Sequence, residues 1–333
     1  MLKITLPSGK VIEANEGQTI IDASEAARVT LPYSCRDGRC SSCKCRIIGK
    51  TKLIYDELGL TESEKADGWK LACSRSPIDD IEIEIEDLSE FNLSKPKTYP
   101  VKIVSLNLLS KDVIKLLLRL PPGCDFMFLE GQYIDLIGPH NIKRSYSLAS
   151  CSDDKILELH VKRVNEGLMS NYLFDNAKVD DLLRINGPRG TFILRHNIKT
   201  NIIFLATGTG IAPIKSMLMR LNFLKKSLMP KSVKLFWGAR EQINLYLDPM
   251  LFLPSLDYTP VLSRNHQGWA GMQGHVQDVM CQNVKNFENT QVYACGSGEM
   301  IRDAKSKLVS SDLGFDHNMF FSDAFVASNN EGN

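Results

Sequence analysis

The sequence predicts a multidomain chain of α+β and α/β class: a small mixed domain, then an antiparallel β-barrel, then a doubly wound parallel sheet. Three observations lead there. The N-terminal segment ends in alternating isoleucines and acids after a knot of cysteines. The middle is a series of short strand-like runs broken by Gly, Pro and Asp. The C-terminal segment alternates strand with helix. At 333 residues the chain exceeds what one core organises, so two or three domains are expected.

Composition narrows the function classes. Hydrophobic residues make up 43% and charged residues 24%, the usage of a folded globular protein and not of a disordered one. A formal net charge of +1 provides no basic field, so neither nucleic acid nor a membrane surface is expected as a partner. No apolar run reaches membrane-spanning length, and "MLKITLPSGKVIEANEG" lacks the apolar stretch of a signal peptide. Nine cysteines, an odd number gathered towards one end, do not resemble a secreted disulfide framework. The expected compartment is the cytoplasm, where clustered thiols bind metal.

Residues 1–90 form the first expected domain. "LKITL" and "KVIEA" flank a turn at Pro7-Ser8-Gly9, and "TIIDASEAARV" has helical apolar spacing. In "DDIEIEIEDLSE", Ile81, Ile83 and Ile85 alternate with acids as a half-buried strand does. Between them lies "LPYSCRDGRCSSCKCR". Cys35, Cys40 and Cys43 stand as C-x4-C-x2-C, and Cys73 in "KLACSRS" supplies a distant fourth thiol. That is the plant-type ligand order of a [2Fe-2S] cluster. Structural zinc would show two matched C-x2-C pairs, and Cys73 has no such neighbour. Gly38, Ser41 and Ser42 are short enough to let backbone N–H groups approach the sulfurs. Cys45 falls outside the spacing and reads as a bystander.

Residues 91–98 read as a linker, with Pro96 and Pro100 interrupting regular structure. Residues 99–197 carry the barrel strands. Within them, "RSYSLAS" reads either as a run that arises by chance or as a flavin contact, with Arg144 for a phosphate, Tyr146 to cover the ring and Ser147 to hydrogen-bond the flavin. "EGLMSNYL" reads either as a plain turn with an N-cap or as a helix N-terminus holding a diphosphate through Gly167 and Ser170. "GPRGTF" is either a simple inter-strand turn or a loop against the same cofactor.

Residues 198–333 carry the doubly wound sheet. "FLATGTGIAPIKSM" places Gly208 and Gly210 between a buried strand and a helix, a dinucleotide-type arrangement that departs from the G-x-G-x-x-G fingerprint. "YACGSGEM" repeats that logic and puts Cys295 at a strand's C-terminal end, where ligands bind in such sheets. A buried core thiol is the bland alternative for Cys295. Arg264 has no second Lys or Arg near it in sequence and Glu241 follows Arg240, which favours NADH over NADPH. The six histidines are scattered without metal spacing.

In this order the features resemble a plant-type ferredoxin module fused to the ferredoxin–NADP reductase superfamily, over nearly the whole chain. "KTYPVKI", "GQYIDLI", "RSYSLA" and "FFSDAFV" are similar to the family of reductases that serve CDP-4-keto-6-deoxyglucose 3-dehydrase in 3,6-dideoxyhexose and O-antigen biosynthesis. The resemblance implies a β-grasp first domain. It implies FAD contacts at Arg144, Tyr146 and Ser147, at His160, Val161 and Lys162, and at Gly167, Met169 and Ser170. Nicotinamide-nucleotide contacts fall at Gly208, Thr209, Gly210 and Pro213, with Cys295 and Gly296 following. Phe325 is expected near the flavin ring. Ser147, bonding the hydride-accepting flavin nitrogen, and Cys295, shaping the nicotinamide pocket, are the residues expected at the reaction. Electrons would pass from NADH to FAD, then to the [2Fe-2S] cluster, then to an iron–sulfur dehydrase carrying pyridoxamine phosphate. The same modules would also suit the reductase of a multicomponent aromatic-ring oxygenase, or a redox sensor.

Overall fold

The structure, a computed structural model, describes residues 1–195, 200–264, 268–310 and 313–325. The expected boundary at 197/198 and the last residue of the "FFSDAFV" motif, Val326, lie outside them.

The first sheet is built from β1 (Leu2–Thr5), β2 (Val11–Ala14), β3 (Lys44–Ile48), β5 (Lys70–Leu71) and β7 (Ile81–Glu84), in the order β2-β1-β7-β3-β5. Strands β4 (Thr51–Leu53) and β6 (Arg75–Pro77) pair separately. β1 and β7 run parallel and the other pairs antiparallel, with helix α1 (Ile20–Ala26) laid across: a β-grasp fold. Thr19 starts that helix by accepting the Asp22 N–H at 3.1 Å. Along β7 the alternation is as expected: Ile81 and Ile83 enter the core with Ile4 and Ile20, while Glu82 and Glu84 stay in water. Each buried isoleucine contributes about 1.5–3 kcal/mol of transfer free energy.

The second sheet has six strands in the order β11-β10-β13-β8-β9-β12. Their spans are β8 (Lys97–Ser110), β9 (Val113–Arg119), β10 (Tyr133–Ile137), β11 (Lys143–Ser147), β12 (Ile156–Lys162) and β13 (Leu182–Arg189). A bridge between Leu148 and Leu159 joins the two outer strands and closes the barrel around Leu116, Leu118, Ile134 and Leu136. Pro100 lies inside β8, where it was expected to interrupt structure. The reason is local: residues 97–101 pair only with β13, and β9 joins from Lys102 onward, so the missing N–H of Pro100 faces no partner strand. For the same reason the expected linker is shorter at its end, since β8 already starts at Lys97. β13 likewise runs through Gly187-Pro188-Arg189, so the first half of "GPRGTF" is strand and not turn.

The third sheet is wholly parallel, in the order β17-β16-β15-β14-β18-β19. Its strands are β14 (Asn201–Thr207), β15 (Ser232–Ala239), β16 (Asp257–Leu262), β17 (Met272–Gln273), β18 (Thr290–Ser297) and β19 (Phe320–Phe325). Both faces are covered. Phe204 and Ala206 pack with Ile214, Met217 and Leu218 of α4 (Ile211–Asn222). Ile203 and Leu205 pack with Val279 of α5 (Val276–Asn283) and Ile301 of α6 (Gly298–Val309). Two-sided burial explains why these strands read as unbroken apolar runs.

The first domain is bonded to the third through buried charge. Glu64 of the short helix α2 (Glu62–Ala66) takes Lys44 at 3.0 Å and Lys305 of α6 at 3.2 Å, while Lys44 also lies over the Trp69 ring. Burial pushes the Glu64 carboxyl up, but Lys305, the Thr61 N–H and Lys44 outweigh it and hold it down at about 2. Burial, with Lys44 beside it, pushes the Lys305 ammonium down. Arg195 adds a second tie to Glu86 at 2.9 Å. Among the described residues no helix is long and apolar enough to cross a membrane.

Candidate functional site

A cleft of about 1730 Å³ opens where the three domains meet. The first contributes Ser34 and Cys35, the second Tyr146 and Ser147, the third Thr207 and Phe325.

At the first wall the loop after α1 and the segment between β5 and β6 bring the four expected thiols together. Cys35 and Cys40 exchange backbone N–H···S contacts, Cys40 N–H to Cys35 Sγ at 3.3 Å and Cys35 N–H to Cys40 Sγ at 3.5 Å. Cys43 and Cys73 form the second pair, and Cys73 also meets Cys35. Gly38 holds φ +78°, and a Cβ there would strike the Asp56 carbonyl oxygen at 2.1 Å, so only glycine lets segment 56–59 lie over the loop. Cys40 lowers the Cys35 thiol, but Cys73 and burial push it up to about 12. Cys35 lowers Cys73 in turn, and Cys43 with burial pushes it up to about 12. Four thiols this close resist ionising without positive charge among them. Two pairs side by side, each demanding a cation, fit a two-iron cluster and its bridging sulfides. Ser42 does something else: its hydroxyl donates to the Ser322 carbonyl at 2.8 Å, across the domain boundary.

Cys45 lies outside this group, fully buried, its thiol directed at the Lys70 carbonyl at 3.7 Å and pushed up by burial. Cys45→Ser is expected to keep the cluster's visible absorption and spin signal, at a stability cost of about 1 kcal/mol read from thermal melting.

On the barrel wall, β11 presents Arg144, Tyr146 and Ser147 to the cleft. Helix α3 (Leu168–Asp175) begins beside them at Gly167, which makes no side-chain cap bond. The first-turn N–H groups of Leu168, Met169 and Ser170 therefore lack helical partners, and such a terminus fits a flavin diphosphate. The Ser170 hydroxyl is occupied, accepting the Val164 N–H at 3.1 Å and donating to the Gly167 carbonyl at 3.0 Å. The Met169 and Val161 side chains lie in the barrel core, so only their backbones can reach a ligand. His160 lines the cleft, yet its Nδ1 meets Tyr246 Oη at 3.0 Å and its Nε2 meets Glu158 at 2.8 Å. Lys162 lines the cleft with its ammonium 3.6 Å from Asp112.

On the third wall, Gly208 and Thr209 face the cleft at the end of β14. Gly210 does not: it lies against the Cys295 carbonyl, where a Cβ would come within 2.2 Å. Pro213 is buried in the first turn of α4, where a missing N–H costs no helical bond. Gly296 holds φ +151°, and a Cβ there would meet Thr207 Oγ1 at 2.0 Å, so glycine is what lets β18 end against β14. The Cys295 thiol is fully buried beside Phe204, Trp237 and Tyr293 and does not line the cleft. Burial, then Asp323, pushes it well above its ordinary range. The cleft surface at this level belongs to Ser297 and Phe325, paired across β18 and β19. The register of β15 with β16 also brings Arg240 and Arg264 to one end of the cleft, an approach their separation in sequence conceals.

Family models match in chain order: a 2Fe-2S iron-sulfur cluster binding domain over residues 4–77, an oxidoreductase FAD-binding domain over 100–193 and an oxidoreductase NAD-binding domain over 204–306. The CDP-6-deoxy-L-threo-D-glycero-4-hexulose-3-dehydrase reductase of Yersinia pestis is 37% identical over 97% of each chain. The chain belongs to that reductase family. Protein RfbI of Salmonella typhimurium is 34% identical, covering 97% of this chain and 96% of its own. The reductase also superposes on Amycolatopsis cytochrome P450 reductase GcoB with a TM-score of 0.72 at 25% identity, covering 98% of this chain and 99% of that one. It is an oxidoreductase with a [2Fe-2S] cluster, FAD and a nicotinamide nucleotide as its redox groups.

One residue of this reductase escaped the sequence reading. Asp323 of β19 is buried between the domains: the Ser34 hydroxyl donates to its Oδ1 at 2.5 Å and the Ser147 hydroxyl to its Oδ2 at 3.4 Å. Burial pushes its carboxyl up to about 6 against the pull of both hydroxyls. The only signal was a single acid within the aromatic-rich "FFSDAFV". With a raised pKa and an oxygen on Ser147, Asp323 can hold a proton beside the flavin wall of the cleft.

Proposed function

We propose that this reductase takes a hydride from NADH and delivers single electrons to an iron–sulfur, pyridoxamine-phosphate-dependent CDP-4-keto-6-deoxyglucose 3-dehydrase of 3,6-dideoxyhexose biosynthesis. The observation that carries this is the likeness to the Yersinia reductase, 37% identical over 97% of the chain. When bound, FAD supplies the conversion of a hydride into single electrons, and the cluster carries them outward at low potential. The chain's own residues bind and orient. Arg144 and the α3 N-terminus hold the flavin phosphates, Tyr146 covers the ring, and Ser147 bonds the nitrogen that receives hydride. The nucleotide diphosphate rests on Gly208 and Thr209, with Phe325 at the ring and Cys295 shaping the floor from beneath. Glu241 and Asp303 line the same cleft as Arg240 and Arg264 and disfavour a 2′-phosphate, which supports NADH. We place the reductase in the cytoplasm, where thiols stay reduced and available to a cluster.

A second reading rests on the phenol hydroxylase P5 protein of Acinetobacter pittii, 31% identical over 92% of this chain. Purified holo-reductase separates the two. Delivery of electrons to the sugar dehydrase, with a kcat/KM for NADH at least tenfold that for NADPH, is the expected result, a difference of about 1.4 kcal/mol. Idle dehydrase beside rapid turnover of a phenol hydroxylase would reverse the assignment.

A further inference from the structure

The "GPRGTF" loop takes no part in the site described above, and its threonine is bonded to the iron–sulfur domain. Thr191 is 3% exposed and Tyr33 8%, so their contact is dry. The Tyr33 N–H donates to Thr191 Oγ1 at 2.7 Å, and the Thr191 hydroxyl donates to the Tyr33 carbonyl at 2.8 Å. The Thr191 N–H reaches that same carbonyl at 3.2 Å. Both backbone polar groups of Tyr33 are thus held by one barrel residue. The Gly190 N–H lies against the Tyr33 phenol oxygen, and Gln132 fixes the loop by donating to the Gly190 carbonyl at 2.8 Å. One residue further on, the Tyr133 hydroxyl donates to the Ser34 carbonyl at 3.2 Å.

Next in the chain stands Cys35. Of the four cysteines placed around the cluster, it alone lines the cleft, and Cys40, Cys43 and Cys73 are buried behind it. The peptide leading into the exposed ligand is therefore fastened to the domain that carries the flavin wall. An electron crossing between two redox groups is sensitive to their separation, and this fastening sets that separation from the cluster side.

We propose that Thr191 is a positioning residue for electron transfer from flavin to cluster, acting by clamping the Tyr33 peptide so that electrons enter through Cys35. The proposal rests on the reading that the flavin reduces the cluster. NADH supplies the electron pair as hydride. The two electrons leave the reduced flavin one at a time, each turning one ferric ion of the cluster ferrous and passing on to the protein acceptor before the next enters, and no bond is made or broken at Thr191.

Thr191→Val keeps the shape and removes the hydroxyl, leaving the Tyr33 N–H without its acceptor, whereas Thr191→Ser keeps the hydroxyl. Anaerobic stopped-flow mixing of the holo-proteins with NADH reads flavin bleaching and cluster reduction as separate phases. Thr191→Val is expected to bleach its flavin as wild type does and to reduce its cluster about 10- to 100-fold more slowly, the scale of an ångström-sized misplacement. Its cluster spin spectrum and midpoint potential should match wild type, which damage to the cluster site itself would not allow. Thr191→Ser should restore the fast phase. Amide hydrogen exchange gives a readout independent of turnover: the Tyr33 amide should be protected in wild type and exchange faster in Thr191→Val. Unchanged cluster reduction in Thr191→Val, a Thr191→Ser protein equally slow, or rapid Tyr33 exchange in folded wild type would each overturn the proposal. Should Thr191→Val fail to fold, the wild-type exchange rate and the serine variant still decide it. A wild type that bleaches its flavin yet never reduces its cluster instead defeats the flavin-to-cluster reading itself.

Discussion

Cys73→Ser is expected to retain NADH-driven bleaching of its flavin and to lose electron delivery to any protein acceptor. Cys73 reaches the cluster loop from the segment between β5 and β6, touching both Cys43 and Cys35. It therefore closes one thiol pair and meets the other. Loss of an outer-shell partner already lowers metal affinity about 10- to 100-fold, and loss of a ligand should cost more than that. The flavin wall is built by β11 and α3, and the nucleotide wall by β14 and α4, so hydride transfer does not need the cluster loop. The measurement is paired: iron and acid-labile sulfide content against stopped-flow flavin bleaching in one preparation. A folded, FAD-loaded Cys73→Ser protein that no longer bleaches would show the two halves to be inseparable. A variant that keeps its full iron content would mean the ligand set is wrong.

The features legible in the sequence are those whose signal is local. A C-x4-C-x2-C loop, a glycine turn after a buried strand, and the two-residue alternation of β7 are each contained in a short window. Non-local features were hidden. Asp323 is 289 residues from Ser34 and 176 from Ser147, and no window containing it shows that both hydroxyls converge on one carboxylate. The burial of Cys295 was hidden for a different reason. β18 is buried on both faces, so alternation does not tell which of its side chains reach the cleft, and packing against Phe204, Trp237 and Tyr293 took the thiol inward. His160 lines the cleft, but both ring nitrogens are claimed by Glu158 and Tyr246, the latter from the neighbouring domain. Pro100 broke no strand because half of β8 has an open side.

Asp323→Asn should stabilise the protein at neutral pH and flatten its acid-side pH dependence. The folded carboxyl titrates at about 6, against an ordinary value of 3.8, because burial disfavours its charge. A carboxyl with a raised pKa binds its proton more tightly folded than unfolded. Below about pH 4 it is protonated in both states and imposes no penalty. As pH rises from about 4 to 6 the unfolded chain ionises first, so stability falls across that window and stays lower above it. Two pKa units correspond to about 3 kcal/mol, an upper figure for what the charged group costs at pH 7. Asparagine removes the charge and retains the geometry: its Oδ1 can accept from Ser34 and its Nδ2 can donate to the Ser147 oxygen. Thermal melts of wild type and Asp323→Asn at closely spaced values from pH 4 to 8 test this. Wild type should lose stability towards neutrality relative to the variant, with the gap widest at pH 7. If the variant melts lower at every pH, the buried carboxylate is held as an ion by its two serines, and its role beside Ser147 is that of a fixed charge and not a proton store.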